Sequence, residues 1–240
     1  MFLLPIILGI VCQVALGSWS GPELPGAISN QTTDLSKVGA STGQLSQQPT
    51  DFAAEGKRLL EQQDWAGAEA AFRKALLINR QDAKTQNNLG NALAQQGKLV
   101  EAIAAFRQAT QLDPSLSAAY YNLGYALAQQ KDLDASVVAF QQAAKLSPRD
   151  ADTHYFLGVV LGQQGRYGEA IAAYRRTIEL DPDYAEAYGN LGLALAETGR
   201  IQEASAALTN ARDYFNRQGR SQDAARAEQY LQRIQSQLSE

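Results

Sequence analysis

With 240 residues, 45% of them hydrophobic, the chain is long enough to bury a core without disulfide or metal staples. Its formal net charge is -4 with 19% charged residues, and no basic run exceeds Lys57-Arg58 or Arg175-Arg176, which excludes an electrostatic footprint for nucleic acid or an anionic surface. The single cysteine, Cys12, excludes an intrachain disulfide framework or a thiolate metal site and leaves the redox compartment open.

The chain opens on MFLLPIILGIVCQVALG, apolar almost throughout and followed by SWSGPELPG. The small residues Ala15 and Gly17 fit a signal peptide over residues 1–17 with cleavage before Ser18. The rival reading is a membrane anchor through residues 2–17, short against the roughly 20 residues of a bilayer span. Residues 18–48 are rich in Ser, Thr, Gly, Gln and Pro with no apolar period, the composition of a disordered linker.

From Phe52 onward one pattern recurs every 34 residues, aligned on Gly56, Gly90, Gly124, Gly158 and Gly192. Three residues after each glycine stand Leu59, Leu93, Leu127, Leu161 and Leu195, and sixteen after stand Phe72, Phe106, Phe140, Tyr174 and Leu208. Between them fall Ala68, Ala102, Ser136, Ala170 and Ala204. Apolar spacings of three and four predict two amphipathic helices per unit. Gly97, Gly165 and Gly199 predict left-handed helix ends. Asp113-Pro114, Ser147-Pro148 and Asp181-Pro182 predict where the second helices stop. The glycine beside a small residue lets two helices approach, and the aromatic fills the space left.

These columns resemble the tetratricopeptide repeat family, with five repeats at 49–82, 83–116, 117–150, 151–184 and 185–218. The resemblance implies an all-α, right-handed superhelical solenoid of antiparallel helix pairs. Departures fall at the edges, where Arg80 and Asn216 replace the proline and Leu208 the aromatic. Residues 219–240 predict a capping helix beginning near Ser221, with Ala224, Ala227, Leu231, Ile234 and Leu238 on its buried stripe.

The resemblance further implies that the first helices line a concave groove that binds an extended peptide or protein segment. The groove positions it assigns include Lys57, Lys84, Asn87, Asn88, Asn91, Tyr121, Asn122, Tyr125, Tyr155, Phe156 and Asn190. Asp152, Glu186 and Glu197 occupy the corresponding positions farther along the chain. Asn88, Asn122 and Asn190 recur two residues before the glycine, and side-chain amides at a fixed rise can pair with a peptide backbone. Tyr121, Tyr125, Tyr155 and Phe156 are expected to form an exposed aromatic centre. A carboxylate clamp for an acidic C-terminus is not expected, since among Ala53, Lys57, Asn88, Ala118 and Asn122 only Asn88 suits it.

No catalytic constellation accompanies the single histidine, His154, and no glycine loop for phosphate is present. The expectation is a non-enzymatic protein-interaction scaffold with no cofactor or metal and with protein or peptide partners rather than nucleic acid. It would act after export to a periplasm, lumen or extracellular space, or anchored at a membrane. The alternative is an assembly factor acting through homo-oligomerisation of the solenoid, and the oligomeric state is left open.

Overall fold

The computed structural model describes residues 49–238, and the expectations for residues 1–48 lie outside them. All secondary structure among the described residues is helical. The elements are α1 (Pro49–Glu61), α2 (Trp65–Ile78), α3 (Ala83–Gln95), α4 (Leu99–Leu112), α5 (Ser117–Gln129), α6 (Leu133–Leu146), α7 (Ala151–Gln163), α8 (Tyr167–Leu180), α9 (Ala185–Glu197), α10 (Ile201–Arg217) and α11 (Ser221–Leu238). Contacts divide the chain into two units, one reaching to Asn122 and the other running from Leu123. In the first, α1 packs on α2, α2 on α3 and α3 on α4; in the second, packing runs in sequence from α6 to α11.

One device closes each helix pair. A Cβ placed on Gly90 would lie 2.5 Å from Cε1 of Phe106, and one on Gly158 would lie 2.6 Å from Cε1 of Tyr174. The ring therefore occupies the notch that the missing side chain leaves. Gly56 meets Phe72, Gly124 meets Phe140 and Gly192 meets Leu208 in the same way. Phe72, Phe106, Phe140, Tyr174 and Leu208 are all buried, as are Leu93, Leu127, Leu161 and Leu195. Ser136 replaces alanine in the tightest column, and its Oγ donates to the carbonyl of Gly124 at 2.6 Å. That bond satisfies the buried hydroxyl.

The helix ends follow local chemistry. Asp64 caps α2 by accepting from the amide of Gly67, and Asp82 caps α3 by accepting from Lys84 and Thr85. First helices end in a left-handed residue at Gly97, Gly165 and Gly199. Gln63 (φ 60°) and Lys131 (φ 68°) fill the same column, a conformation strained for any residue with a Cβ. α4, α6 and α8 stop before the prolines, each over 14 residues, whereas α10 runs for 17 because Asn216 does not interrupt it. α2 also stops at Ile78, with Asn79 Oδ1 accepting from the amide of Gln81 in place of the proline. α11 seals the end of the second unit, where Ala224 and Ala227 pack with Ala185, Ala211 and Phe215.

Candidate functional site

The first-helix face of each unit is built separately. In the unit that ends at Asn122, α3 presents Lys84 to solvent, while Asn88 and Asn91 are half-buried. Asn87 is buried, and its Oδ1 accepts from Asn122 Nδ2 at 3.0 Å. Two of the expected ligand-facing amides are thus bonded to each other. Tyr121, expected to be exposed, is buried at 7%. Lys57 is exposed on α1. Burial pulls the Asp82 carboxyl upward, but bonds from the hydroxyl and amide of Thr85 and the amide of Lys84 outweigh it and hold Asp82 below its ordinary value. Asp82 therefore stays ionised at the start of α3, near the Lys57 charge.

In the unit from Leu123, the aromatic cluster is more interior than expected. Phe156 and Tyr125 are half-buried and meet edge to face, with ring centroids 5.3 Å apart. Tyr155 is 2% exposed; its ring lies 4.8 Å from that of Tyr184, and its hydroxyl accepts from Asn190 Nδ2 at 3.2 Å. Asn190 is wholly buried, and its Oδ1 has no hydrogen-bond partner among the described residues. Both side chains are therefore corrected from groove contacts to packing between consecutive repeats. The physical reason is size: a tyrosine on α7 reaches across to α9, and the asparagine two before Gly192 meets its hydroxyl there.

Around them lies a polar cluster. Tyr184 donates its hydroxyl to Asp152 Oδ1 at 2.9 Å, and Glu186 is ion-paired with Arg220, which also bonds Asp223 at 2.9 Å. Burial raises the Asp152 carboxyl above its ordinary value, opposed by the Tyr184 bond and reinforced by the charges of Asp150, Asp181 and Glu186. Burial alone raises Glu197. Burial first, then the charge of Asp152, pushes the Tyr184 hydroxyl far up.

Tyr184 and Arg220 escaped the reading of the sequence, although signals existed. Tyr184 stands where Asp82 and Asp150 precede their helices, so an aromatic there is out of character. Arg220 continues the 34-residue column of Asp152 and Glu186 to the residue just before the capping helix. His154 Nε2 lies 3.2 Å from the Pro148 carbonyl, a structural contact. No group of three or more metal-ligating side chains occurs among the described residues, and none of their helices is long and apolar enough to cross a membrane.

Residues 90–131, 124–165 and 160–199 match a family model described as a TPR repeat, and residues 185–214 match one described as a tetratricopeptide repeat. A crystal structure of MamA is 30% identical, covers 68% of this chain and 96% of its own, and superposes with a TM-score of 0.65. Another MamA protein structure is 29% identical over 71% of this chain and 93% of its own, with a TM-score of 0.66. YrrB, described as a TPR protein with an unusual peptide-binding site, shares the fold at 22% identity, covering 76% of this chain and 92% of its own, with a TM-score of 0.66. No curated protein matches the sequence.

Proposed function

The chain belongs to the tetratricopeptide repeat family and carries that family's protein-interaction scaffold, and from this premise we propose that it grips an extended peptide or protein segment along the first-helix face without catalysing a reaction. The observation that carries this reading is the face of α3, where Asn88 and Asn91 are half-buried beside exposed Lys84. Each amide offers a donor and an acceptor to a backbone, and contact with a backbone tolerates many sequences. Of the aromatics, Tyr125 and Phe156 retain the partial exposure needed to hold a side chain. Asn87 and Asn122 bond to each other in the unit that ends at Asn122, and Tyr155 and Asn190 bond to each other in the unit from Leu123.

The test is crosslinking capture from the native host with Asn88→Ala combined with Asn91→Ala. Both side chains lie toward solvent, so the melting temperature should stay within about 2 °C of the parent. Capture should fall by about tenfold, the equivalent of two lost backbone contacts at about 1 kcal/mol each, less some compensation. A folded double variant that captures the same partners undiminished removes the groove from consideration.

We further propose that the scaffold works outside the cytoplasm or at a membrane, a reading supported by the apolar composition of residues 2–17. Intact mass of the native protein separates a mature chain starting near Ser18 from one that retains Met1.

A further inference from the structure

The opposite side of α3 carries a second feature. At about 3.6 residues per turn, Gln86 and Leu89 point away from Asn88 and Asn91. There they help to line a cavity of about 450 Å³, walled by Leu76 and Leu77 of α2 and edged by Arg73, Arg80 and Gln108. That volume lies within the roughly 300–1,000 Å³ over which proteins hold small ligands or inserted side chains.

The cavity has a cause in the repeat itself. The column of Gln86 holds Tyr120, His154 and Tyr188 in the later repeats. Those rings fill space: Tyr188 stacks on Tyr214 with centroids 5.1 Å apart, and His154 reaches the Pro148 carbonyl. Gln86 instead turns its amide to Gln108 Oε1 at 3.0 Å, so no ring occupies the corner. The column of Leu77 holds Gln111, Lys145 and Glu179, and the column of Arg80 holds Pro114, Pro148 and Pro182. The corner between the first and second repeats therefore combines a missing ring, a solvent-facing leucine and a cation. Leu77 is 73% exposed and Ile78 52%. They extend the apolar strip beyond the cavity, where neighbouring residues of a bound chain would rest.

The charges choose the occupant. Arg73 is already engaged by Glu69 at 2.9 Å and Glu101 at 3.0 Å. The Arg80 guanidinium makes no ion pair with any described residue, and no acidic side chain lines the cavity. We propose that this corner is a docking site for a segment of a partner protein that presents one aromatic side chain flanked by acidic residues. The ring enters the space that Tyr120, His154 or Tyr188 takes in the other repeats and rests on Leu76 and Leu89. A carboxylate beside it pairs with Arg80, in the bidentate manner that a guanidinium favours. This site is separate from the groove proposed above.

The test uses the full chain and two short probes, acetyl-Glu-Trp-Leu-Glu-amide and acetyl-Lys-Trp-Leu-Lys-amide, with the side-chain amide resonances of Gln86 and Gln108 as the readout. The acidic probe should move both resonances and saturate, and the basic probe should bind about tenfold more weakly or not at all. Gln86→Tyr restores the ring of the other repeats and should abolish binding, read at the Gln108 amide alone, while leaving the melting temperature unchanged or raised. Arg80→Glu should weaken the acidic probe by about tenfold or more, and it carries the test alone if the tyrosine variant does not fold. Asn88→Ala with Asn91→Ala should leave this binding intact, so the two sites fail separately. Unmoved resonances, equal binding of the two probes, or full binding by a folded Gln86→Tyr chain would each overturn the proposal. So would a shift of both resonances on deleting residues 18–48 without any probe, which would make the chain's own tract the occupant.

Discussion

Phe106 stands over Gly90 so closely that a single added carbon on the glycine would overlap its ring, at 2.5 Å from Cε1. Neither residue is tolerant alone. Phe106→Ala should lose about 3–5 kcal/mol through the cavity it leaves, and Gly90→Ala about 1–3 kcal/mol through overpacking. Introduced into the Phe106→Ala background, the Gly90→Ala change should instead stabilise, because the clash is gone and alanine is the better helix former. A double-mutant cycle by urea denaturation reads this sign reversal.

Lys131 holds φ at 68° in a column where Gly97, Gly165 and Gly199 stand elsewhere. Lys131→Gly relieves the left-handed strain at the cost of some unfolded-state entropy. The net expectation is a gain of about 0.5–1 kcal/mol, read as a higher melting temperature. Gln63→Gly should act in the same direction. An unchanged or lower melting temperature in both would show that the strain is offset by contacts of the native side chains.

Asp152 is held above its ordinary pKa chiefly by burial, so its ionised form opposes folding. A group with a raised folded-state pKa gives its full stability below the unfolded pKa and loses it as pH rises through the folded value. Asp152→Asn keeps an acceptor for Tyr184 and removes the charge. Its melting temperature should exceed the parent's by roughly 2–4 °C at pH 7, and the two curves should converge below about pH 4. A variant less stable at neutral pH would show that the ionised carboxylate has a stabilising partner.

Glu69 behaves in the opposite way. A hydrogen bond from Lys98, at 2.7 Å, outweighs burial and, with Gln96 and Arg73, lowers the carboxyl to about 2. A depressed pKa contributes stability above the unfolded value, here 4.5, that is lost as pH falls toward 2. Glu69→Gln should be less stable than the parent at pH 7 and should show a flatter acid limb between those values. Parallel urea titrations at pH 6, 4 and 2.5 (roughly spanning the window) measure it.

The helix pairs were legible because their signals repeat: a glycine, a leucine three on and a ring sixteen on fix two faces of two helices. The family resemblance implies that Lys84, Asn88 and Asn91 belong to the groove, and turn geometry puts their spacing of four and three on one face of α3. What that geometry could not tell was how far a side chain reaches. Tyr155 stands at a groove position that the resemblance implies, but its phenol ring is long enough to cross from α7 to α9, so its burial depends on what the neighbouring repeat offers. Asn190 is interior because Tyr155 arrives beside it, whereas Asn88 meets no such ring. The cavity beside Gln86 was hidden for a related reason, since it arises from a missing ring rather than from any residue present.

The pairing of each glycine with a residue sixteen positions downstream has a consequence for how such a gene changes length. Remove any 34 consecutive codons within the array, starting at any point, and every surviving glycine of that column still finds a ring or leucine at that distance. Cutting out residues 100–133, for example, would bring Phe140 to the place of Phe106 over Gly90. Slippage of the copying machinery by one period thus yields a chain whose notches are all filled. Slippage inside one of those sixteen-residue spans by a length that is not a multiple of 34 brings a different column over its glycine. Arrays of this kind can shed or gain units in single hereditary steps.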